Sequence, residues 1–481
     1  MDTSVPPAGI SADDWAATPV AVQQFLVATL TVVMLQQQQI AQLLRRVADL
    51  EARLNQHSQN SSKPPSSDPP SAPPRPARVP RGRKPGGQAG HPRHDQPDPE
   101  PDQITTTRHH YPSACPTCGD DLTAHRQDAC AIQTQYVWEL PIVPPLIAAH
   151  HYHTVCCQGC GALASAERPA DVPPGAFGPR TAAVVSLLHG RYRISHREVV
   201  NLLADLFDLP LSLGSVVTLQ TAVSAALAPA HADVQTHVQA AAVVNVDETG
   251  WKEAGKRRWL WTVVSAVATL FVVANSRGTT ILHGLLGAEY RGIVGSDRGR
   301  AYLGLPPDRH QLCWAHLIRN FRALVERHGK VGVWASDWLA LSEVVFRLWH
   351  AYRGGTIDRA QLQAAMEPIQ VSIRALLLRG TRRCDDAEAI SHELLAHWDA
   401  LWTFVRVEAV EPTNNAAEQA LRPAVLWRKG CFGAHSAEGN RFVERILTIS
   451  ATCAQQQRHL LTFLTDAVDA YWRGRPAPTL V

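Results

Sequence analysis

The stretch Val243-Val-Asn-Val-Asp-Glu-Thr-Gly-Trp251 limits the possible folds most strongly. An apolar β-branched run that stops at a carboxylate, Asp247, and then turns reads as a buried strand ending at a polar edge. A second such run, Gly292-Ile-Val-Gly-Ser-Asp297, follows. Its Gly295 and Ser296 are small and would leave room for a substrate backbone beside Asp297. A third acid, Glu418, lies in Asn414-Asn-Ala-Ala-Glu-Gln-Ala-Leu-Arg422, which reads as a helix.

The segments between these acids alternate as one mixed sheet requires. Strand Val243–Asp247 is followed by an antiparallel pair, Arg258–Ala266 and Thr269–Ala274. A helix is predicted at Thr279–Leu286, a strand at Gly292–Asp297 and another at His310–Trp314. The Trp-, Leu- and Ala-rich run Val331–Val405 reads as helices inserted after that strand. Asn414–Trp427 brings back Glu418, and Val443–Gln456 and His459–Trp472 are helices. Two strand-end Asp and one helical Glu, in that order, form the pattern of an RNase H-like nucleotidyl transferase. The predicted core spans 240–456 with its helical insertion at 331–405, and a C-terminal helix and tail fill 457–481.

The residue types suit phosphodiester exchange. That reaction needs a nucleophile activated at neutral pH and charge stabilised on the attacking and leaving oxygens, and two hard cations do both. Such ions take oxygen ligands, so Asp247, Asp297 and Glu418 are the candidate catalytic groups and ligands for Mg²⁺ or Mn²⁺. Glu248 competes with Asp247, and Glu411 with Glu418, although Glu411 precedes Pro412 in a loop. Asn415 and Arg422 share the helical face of Glu418. Asn415 is placed to orient the carboxylate and Arg422 to hold a DNA phosphate. Arg428 and Lys429, with Arg441 and Arg445, read either as DNA-facing groups or as a solvated helix. His316 reads equally as an active-site group and as a core or capping histidine. Cys313 and His316 resemble half a metal site with no partner pair in view. Trp251, Trp259, Trp261 and Trp314 read mostly as core, with one near Asp247 able to stack on a flipped base.

With 481 residues, 45% of them hydrophobic, the chain has room for about three domains. The net charge of +3 confines any nucleic-acid surface to a local patch. The acidic, Pro-interrupted N-terminus does not read as a signal peptide. The most apolar run, Trp259–Ala274, is shorter than the roughly 18 residues of a membrane span, so a soluble protein is expected. Residues 20–57 carry a heptad seam of Leu26, Val33, Ile40, Leu43, Val47, Leu50 and Leu54, with Thr29 and Gln36 at the weak positions. That predicts a coiled-coil helix pairing two protomers, or an amphipathic helix packed on its own domain. Residues 58–103 form a basic, Pro-rich linker. Its Arg81, Arg83 and Lys84, in Arg-Gly-Arg-Lys-Pro, resemble a hook for A·T-rich minor grooves.

Four of the ten Cys form two Cys-x-x-Cys-Gly pairs, Cys115/Cys118 and Cys157/Cys160. Four thiolates satisfy tetrahedral Zn²⁺, so a zinc ribbon is predicted at 104–170, with a strand-like segment at Ile132–Ile142 between the pairs. Cys156 is the alternative to Cys157, and Cys130 reads as a spare thiol. Residues 175–235 read as a helical subdomain. Its capping box Ser195-His-Arg-Glu198 and its break at Asp208–Ser212 fit a helix-turn-helix. The second helix, however, carries no Arg or Lys, which fits a bracing subdomain equally well.

Several blocks carry a family resemblance. They are Asp247-Glu-Thr, Cys313-Trp-Ala-His316, Asn414-Asn-Ala-Ala-Glu-Gln-Ala-Leu-Arg-Pro423 with Arg428-Lys429 following, Asn60-Ser-Ser-Lys-Pro-Pro-Ser-Ser-Asp68, Gly82-Arg-Lys-Pro-Gly-Gly-Gln-Ala-Gly-His91, and the Cys-Pro-x-Cys-Gly module. Together they resemble the insertion sequence sixty-six family of bacterial transposases. Gly250-Trp251 and Ser296-Asp297-Arg298-Gly299 depart from that pattern and mark a divergent branch. The resemblance implies a multidomain α+β protein with Asp247, Asp297 and Glu418 as a DDE triad. It implies cleavage at element ends and strand transfer into target DNA. The implied partners are double-stranded DNA, a second protomer or larger synaptic complex, and accessory proteins of the same element. The implied location is the bacterial cytoplasm, at the nucleoid. The rival readings are a non-catalytic DNA-binding derivative and a two-metal nuclease.

Overall fold

A computed structural model of the chain describes residues 6–7, 9–54, 56–57, 60, 98–124, 133–327, 329–383 and 386–481. Most of the linker at 58–103, including Arg81, Arg83 and Lys84, lies outside these residues, as does Cys130. The described chain is mixed α/β and divides into two compact units. One comprises Met1–Pro73, Tyr152–Val199 and Ser212–Val481, the other Pro74–His151 and Val200–Leu211.

The first unit begins with α1 (Ala12–Ala17), whose N-terminus is capped by the Ser11 hydroxyl, and α2 (Val20–Leu54). Most of the α2 seam, from Val33 through Ile40, Leu43, Val47 and Leu50 to Leu54, is exposed in the single chain. A hairpin follows, of β1 (Thr154–Cys156) and β2 (Leu163–Ser165). The strand predicted at Ile132–Ile142 does not form among the described residues 133–142. Pro141 breaks that segment, Leu140 and Ile142 stay exposed, and a strand without a partner leaves its backbone groups to water.

Next come α3 (Pro179–Gly190), α4 (His196–Phe207) and α5 (Leu213–Ala240). The predicted capping box opens α4: Ser195 N–H donates to Glu198 and Glu198 N–H to the Ser195 hydroxyl. Ser212 caps α5 in turn. One face of α5, with Val216, Leu219, Val223, Leu227, Val234 and Val238, is buried. Among the described residues two segments are long and apolar enough to cross a membrane, Val20–Leu44 and α5, so Trp259–Ala274 is not the most span-like stretch. Nearly half of the α5 window is buried inside the protein, against 6% of Val20–Leu44.

The central sheet contains β3 (Val243–Glu253), β4 (Lys256–Val264), β5 (Thr269–Ala274), β6 (Ile293–Ser296) and β7 (His310–Leu312). Its order is β5-β4-β3-β6-β7. The first three strands are antiparallel, and β6 and β7 are parallel to β3. Between β5 and β6 lies α6 (Thr279–Leu286), with the predicted bounds. β3 runs six residues beyond its predicted end at Asp247, because β4 pairs with it as far as Glu253↔Lys256. The turn between them places Ala254 and Gly255 at positive φ, 45° and 79°, as a tight hairpin requires.

The last predicted strand is shorter than expected. Trp314 belongs to α7 (Trp314–Val325), with Cys313 at its N-cap. The insertion then supplies α8 (Gly329–Arg353), α9 (Arg359–Gly380), α10 (Asp386–Ala396) and α11 (Thr403–Arg406). These helices share one apolar core with α7, centred on Trp314, Trp338, Trp402, Phe321 and Phe404. Phe321 stacks on Trp338 at 3.8 Å, and Trp314 Nε1 donates to Leu401 O. The chain returns through α12 (Asn415–Cys431) and ends in α13 (Ala437–Gln455) and α14 (Leu460–Trp472).

Helix α13 completes the sheet edge. The amides of Thr269, Phe271 and Val273 on β5 donate to Thr452 Oγ1, Thr448 Oγ1 and Glu444 Oε1. Alternate strand residues advance about 6.6 Å and every fourth helical residue about 6 Å. One row of helix side chains therefore satisfies an edge that would otherwise be a template for aggregation.

Candidate active site

The parallel register of β3 and β6 ends at Asn245↔Gly295. Two residues further along each chain are Asp247 and Asp297, and strands alternate their faces with period two. The register thus carries both carboxylates to one face, just beyond the last residues where β3 and β6 pair, on neighbouring stretches of chain about 4.8 Å apart. Gly295 and Ser296 are not the open floor expected from sequence. A Cβ on Gly295 would lie 2.5 Å from Asn245 Oδ1, and the buried Ser296 hydroxyl contacts His310 Nε2 at 2.8 Å. Both are small to fit neighbouring strands.

Helix α12 brings Glu418. Its Ala417, Leu421, Ala424 and Trp427 are buried at helical spacing, and α12 packs on β3 and β4. The residue before α12, Asn414, is buried; its Nδ2 donates to Val246 O at 2.8 Å and its backbone N–H to Cys313 Sγ at 3.1 Å. Asn415, expected to orient Glu418, is exposed. At the other end of α12, Arg428 donates to Thr249 Oγ1 and to Gly250 O. The helix is thus tied to the strand of Asp247 at both ends.

The electrostatics mark Asp247 as the centre. Its carboxyl is pushed well above the usual range, first by burial and then by the Asp297, Glu248 and Glu418 carboxylates. The Glu248 amide, at 2.9 Å, offsets this in part. Asp297 is raised by burial, against the Gly299 amide at 2.7 Å and the guanidinium groups of Arg298, Arg277 and Arg319. Glu248, the competitor, is half-buried and also raised by desolvation, but Tyr302 OH donates to it. Glu411 is exposed and paired with Arg353. Carboxylates are hard oxygen donors of the type that Mg²⁺ and Mn²⁺ take.

His316 lies at this site, near the start of α7 rather than at the end of a strand. Its Nδ1 is 3.3 Å from Glu418 Oε1, and Arg319 Nη2 is 3.1 Å from that same oxygen. Burial, with Arg319 and Arg298, lowers the His316 pKa to about 4. The sequence reading missed Arg319, Tyr302 and Asn414. Arg319 was findable, since it follows His316 by three residues on a helix.

Arg422 and Lys429 are exposed on α12. Arg445 Nη1 donates to Ser224 O at 2.9 Å, and exposed Arg441 pairs with Glu438. Trp251, Trp261 and Trp314 are buried. Arg257 and Arg277 lie over the Trp259 ring.

Each Cys pair forms its own knuckle, in different compact units. Cys115 N–H donates to Asp120 O and Gly119 N–H to Cys115 O; Cys157 N–H donates to Ala162 O and Gly161 N–H to Cys157 O. Gly119 and Gly161 take φ of 81° and 75°. The amides of Cys118 and Thr117 lower the Cys115 pKa to about 7, and those of Cys160 and Gly159 lower Cys157. Cys157, not Cys156, thus occupies the position equivalent to Cys115.

The model of the Transposase IS66 family matches residues 174–441. The chain belongs to the IS66 transposase family. The matched segment of this transposase runs from α3 into α13 and contains Asp247, Asp297, His316 and Glu418. A second model, for a family of unknown function (DUF6444), matches residues 18–97, over α2 and the basic linker. No curated protein matches the chain.

Proposed function

We propose that the chain is a DDE transposase with an RNase H-like core. The observation that carries this reading is the register that sets Asp247 beside Asp297, with Glu418 returned to them by a helix tied to the same strand. Asp247, Asp297 and Glu418 would hold Mg²⁺ or Mn²⁺. Bound there, such ions would activate the attacking oxygen and offset charge on the leaving one.

In this mechanism Asp247 supplies the most buried carboxylate. Tyr302 keeps Glu248 occupied, and Asn414 fixes the start of α12 so that Glu418 stays in reach. Water attacks the phosphodiester at an element end, and the freed 3′-hydroxyl then attacks target DNA in line. Arg422 and Lys429 would hold phosphates, with Arg81, Arg83 and Lys84 of the linker engaging a minor groove. Zn²⁺ on Cys115, Cys118, Cys157 and Cys160, proposed from their spacing, would stiffen the end-binding region. The exposed seam of α2 supports pairing of two protomers, so that both element ends are held together in a bacterial cell.

The test is Mg²⁺-dependent cleavage and joining of a labelled fragment carrying the element's terminal repeats, with the intact protein and Asp297→Ala. Joined product only from the intact protein is expected. Cleavage without joining, lost in the variant, would instead favour a nuclease. Equal silence from both, with tight binding and with the element's other proteins added, would favour a binding-only protein.

A further inference from the structure

A second donor set overlaps the first. Cys313 Sγ, His316 Nδ1 and one Glu418 oxygen all lie within 4.8 Å of one another. Cys313 is almost fully buried at the N-cap of α7, and its sulfur accepts the Asn414 N–H at 3.1 Å. The Ala315 and His316 amides also favour its thiolate, as helix N-termini do. Among the described residues His316 Nδ1 is buried and makes no hydrogen bond, and its nearest charged neighbour is Glu418 Oε1 at 3.3 Å. Glu418 is about one-third exposed and opens the group to solvent.

We propose that Cys313, His316 and Glu418 form a site for a soft divalent cation of the Zn²⁺ class. Its occupancy would take Glu418 away from the Mg²⁺ ligands. One sulfur, one nitrogen and one oxygen from the protein, with water in the fourth position, suit tetrahedral Zn²⁺. Bonds of about 2.0–2.3 Å hold donors roughly 3–4 Å apart, so side-chain rotation of about an ångström seats the ion. Thiolate and imidazole exclude Mg²⁺ from this set, while the Asp247 and Asp297 oxygens favour it. Binding forms an S–metal bond and releases the Cys313 thiol proton to solvent. Arg319 Nη2, 3.1 Å from Glu418 Oε1, opposes a cation there and sets an upper bound on affinity. The inhibitory consequence rests on the transposase reading; the binding does not.

The experiment counts metal in the full-length chain. Metal-free protein is titrated with Co²⁺, read by its thiolate-to-cobalt absorption, and with Zn²⁺, read by bound metal per chain. Intact protein is compared with Cys313→Ser, which keeps a hydrogen-bond acceptor for Asn414, and with His316→Gln. Each variant is expected to bind one equivalent fewer, or to bind that equivalent roughly 10–100-fold more weakly. Arg319→Gln is expected to bind it more tightly, and Asp297→Ala, inactive in the transposase reading, to keep it. The same metal count and absorption in intact protein, Cys313→Ser and His316→Gln would overturn the site. Zn²⁺ should suppress joining in excess Mg²⁺, less so in Cys313→Ser. Joining by an intact protein that lacks the extra equivalent sinks this site alone. The extra equivalent in a protein that never cleaves DNA sinks the transposase reading alone.

Discussion

Asp247→Asn should stabilise the metal-free protein while abolishing its chemistry. The parent carries a half-buried carboxylate, raised by desolvation, whose neighbours Asp297, Glu248 and Glu418 are also acids. The amide keeps the shape and removes that charge. Relief of a destabilised site of this kind is worth about 0.5–2 kcal/mol, and each kcal/mol moves the melting temperature by about 2–4 °C in a domain of 150–250 residues. The sign with pH follows from the raised pKa. The neutral form's contribution is fully present below the unfolded carboxylate value of about 3.9 and is lost as pH rises through the higher folded value. The advantage of Asp247→Asn should therefore be absent near pH 4 and grow towards pH 8. Mg²⁺ should reverse the ranking, since an ion at 100 times its Kd stabilises the parent by about 2.7 kcal/mol. Thermal melts of both proteins from pH 4 to 8, in chelator and in Mg²⁺, measure all of this. A variant that melts below its parent in chelator at pH 8 would refute the crowding argument, as would an equal Mg²⁺ shift in both.

Thr448→Val removes the acceptor for the Phe271 amide on the edge strand. It should cost about 1–3 kcal/mol in urea unfolding, with faster hydrogen exchange at Phe271. Arg422→Ala should lower the salt slope of DNA binding by about one, whereas Arg428→Ala should chiefly reduce thermal stability, because Arg428 is bonded to β3. Trp314→Ala should destabilise the insertion by about 3–5 kcal/mol in denaturant unfolding, since its ring packs between Trp338 and Trp402.

The parts of the fold legible in the sequence were those set by local pattern. The helix Thr279–Leu286 and the apolar runs of β4, β5 and β6 follow from periodicity and composition. The second half of β3, Glu248 to Glu253, has no alternation to read; it is a strand because β4 lies beside it. Trp314 looks like strand residue but starts a helix, since its N–H is taken by Pro412 O across the insertion. The choice between Asn414 and Asn415 was readable in principle. Asn414 is in phase with Ala417, Leu421 and Ala424, the buried stripe, whereas Asn415 shares the outward face with Arg422. Proposing the acids needed only residue types and order, but the partners of those acids depend on which helix meets which strand.

The insertion also explains how Glu418 is placed. A long excursion between β7 and α12 would leave Glu418 free to wander unless the excursion closed on itself. It does close. Trp314 N–H, at its start, donates to Pro412 O at its end, and Asn414 N–H donates back to Cys313 Sγ. The entry and exit segments of the insertion are thus joined within hydrogen-bond reach, at a core that contains Trp314, Trp338 and Trp402. Arg298, next to Asp297, adds a second tie through Glu393 on α10 at 3.0 Å. The closure at Cys313 and Asn414 thus couples the inserted helices to Glu418, which His316 and Arg319 of α7 also contact directly. The same closure puts a thiol and an imidazole beside the Glu418 carboxylate, so the anchor of the insertion and the proposed soft-metal site are built from one set of residues.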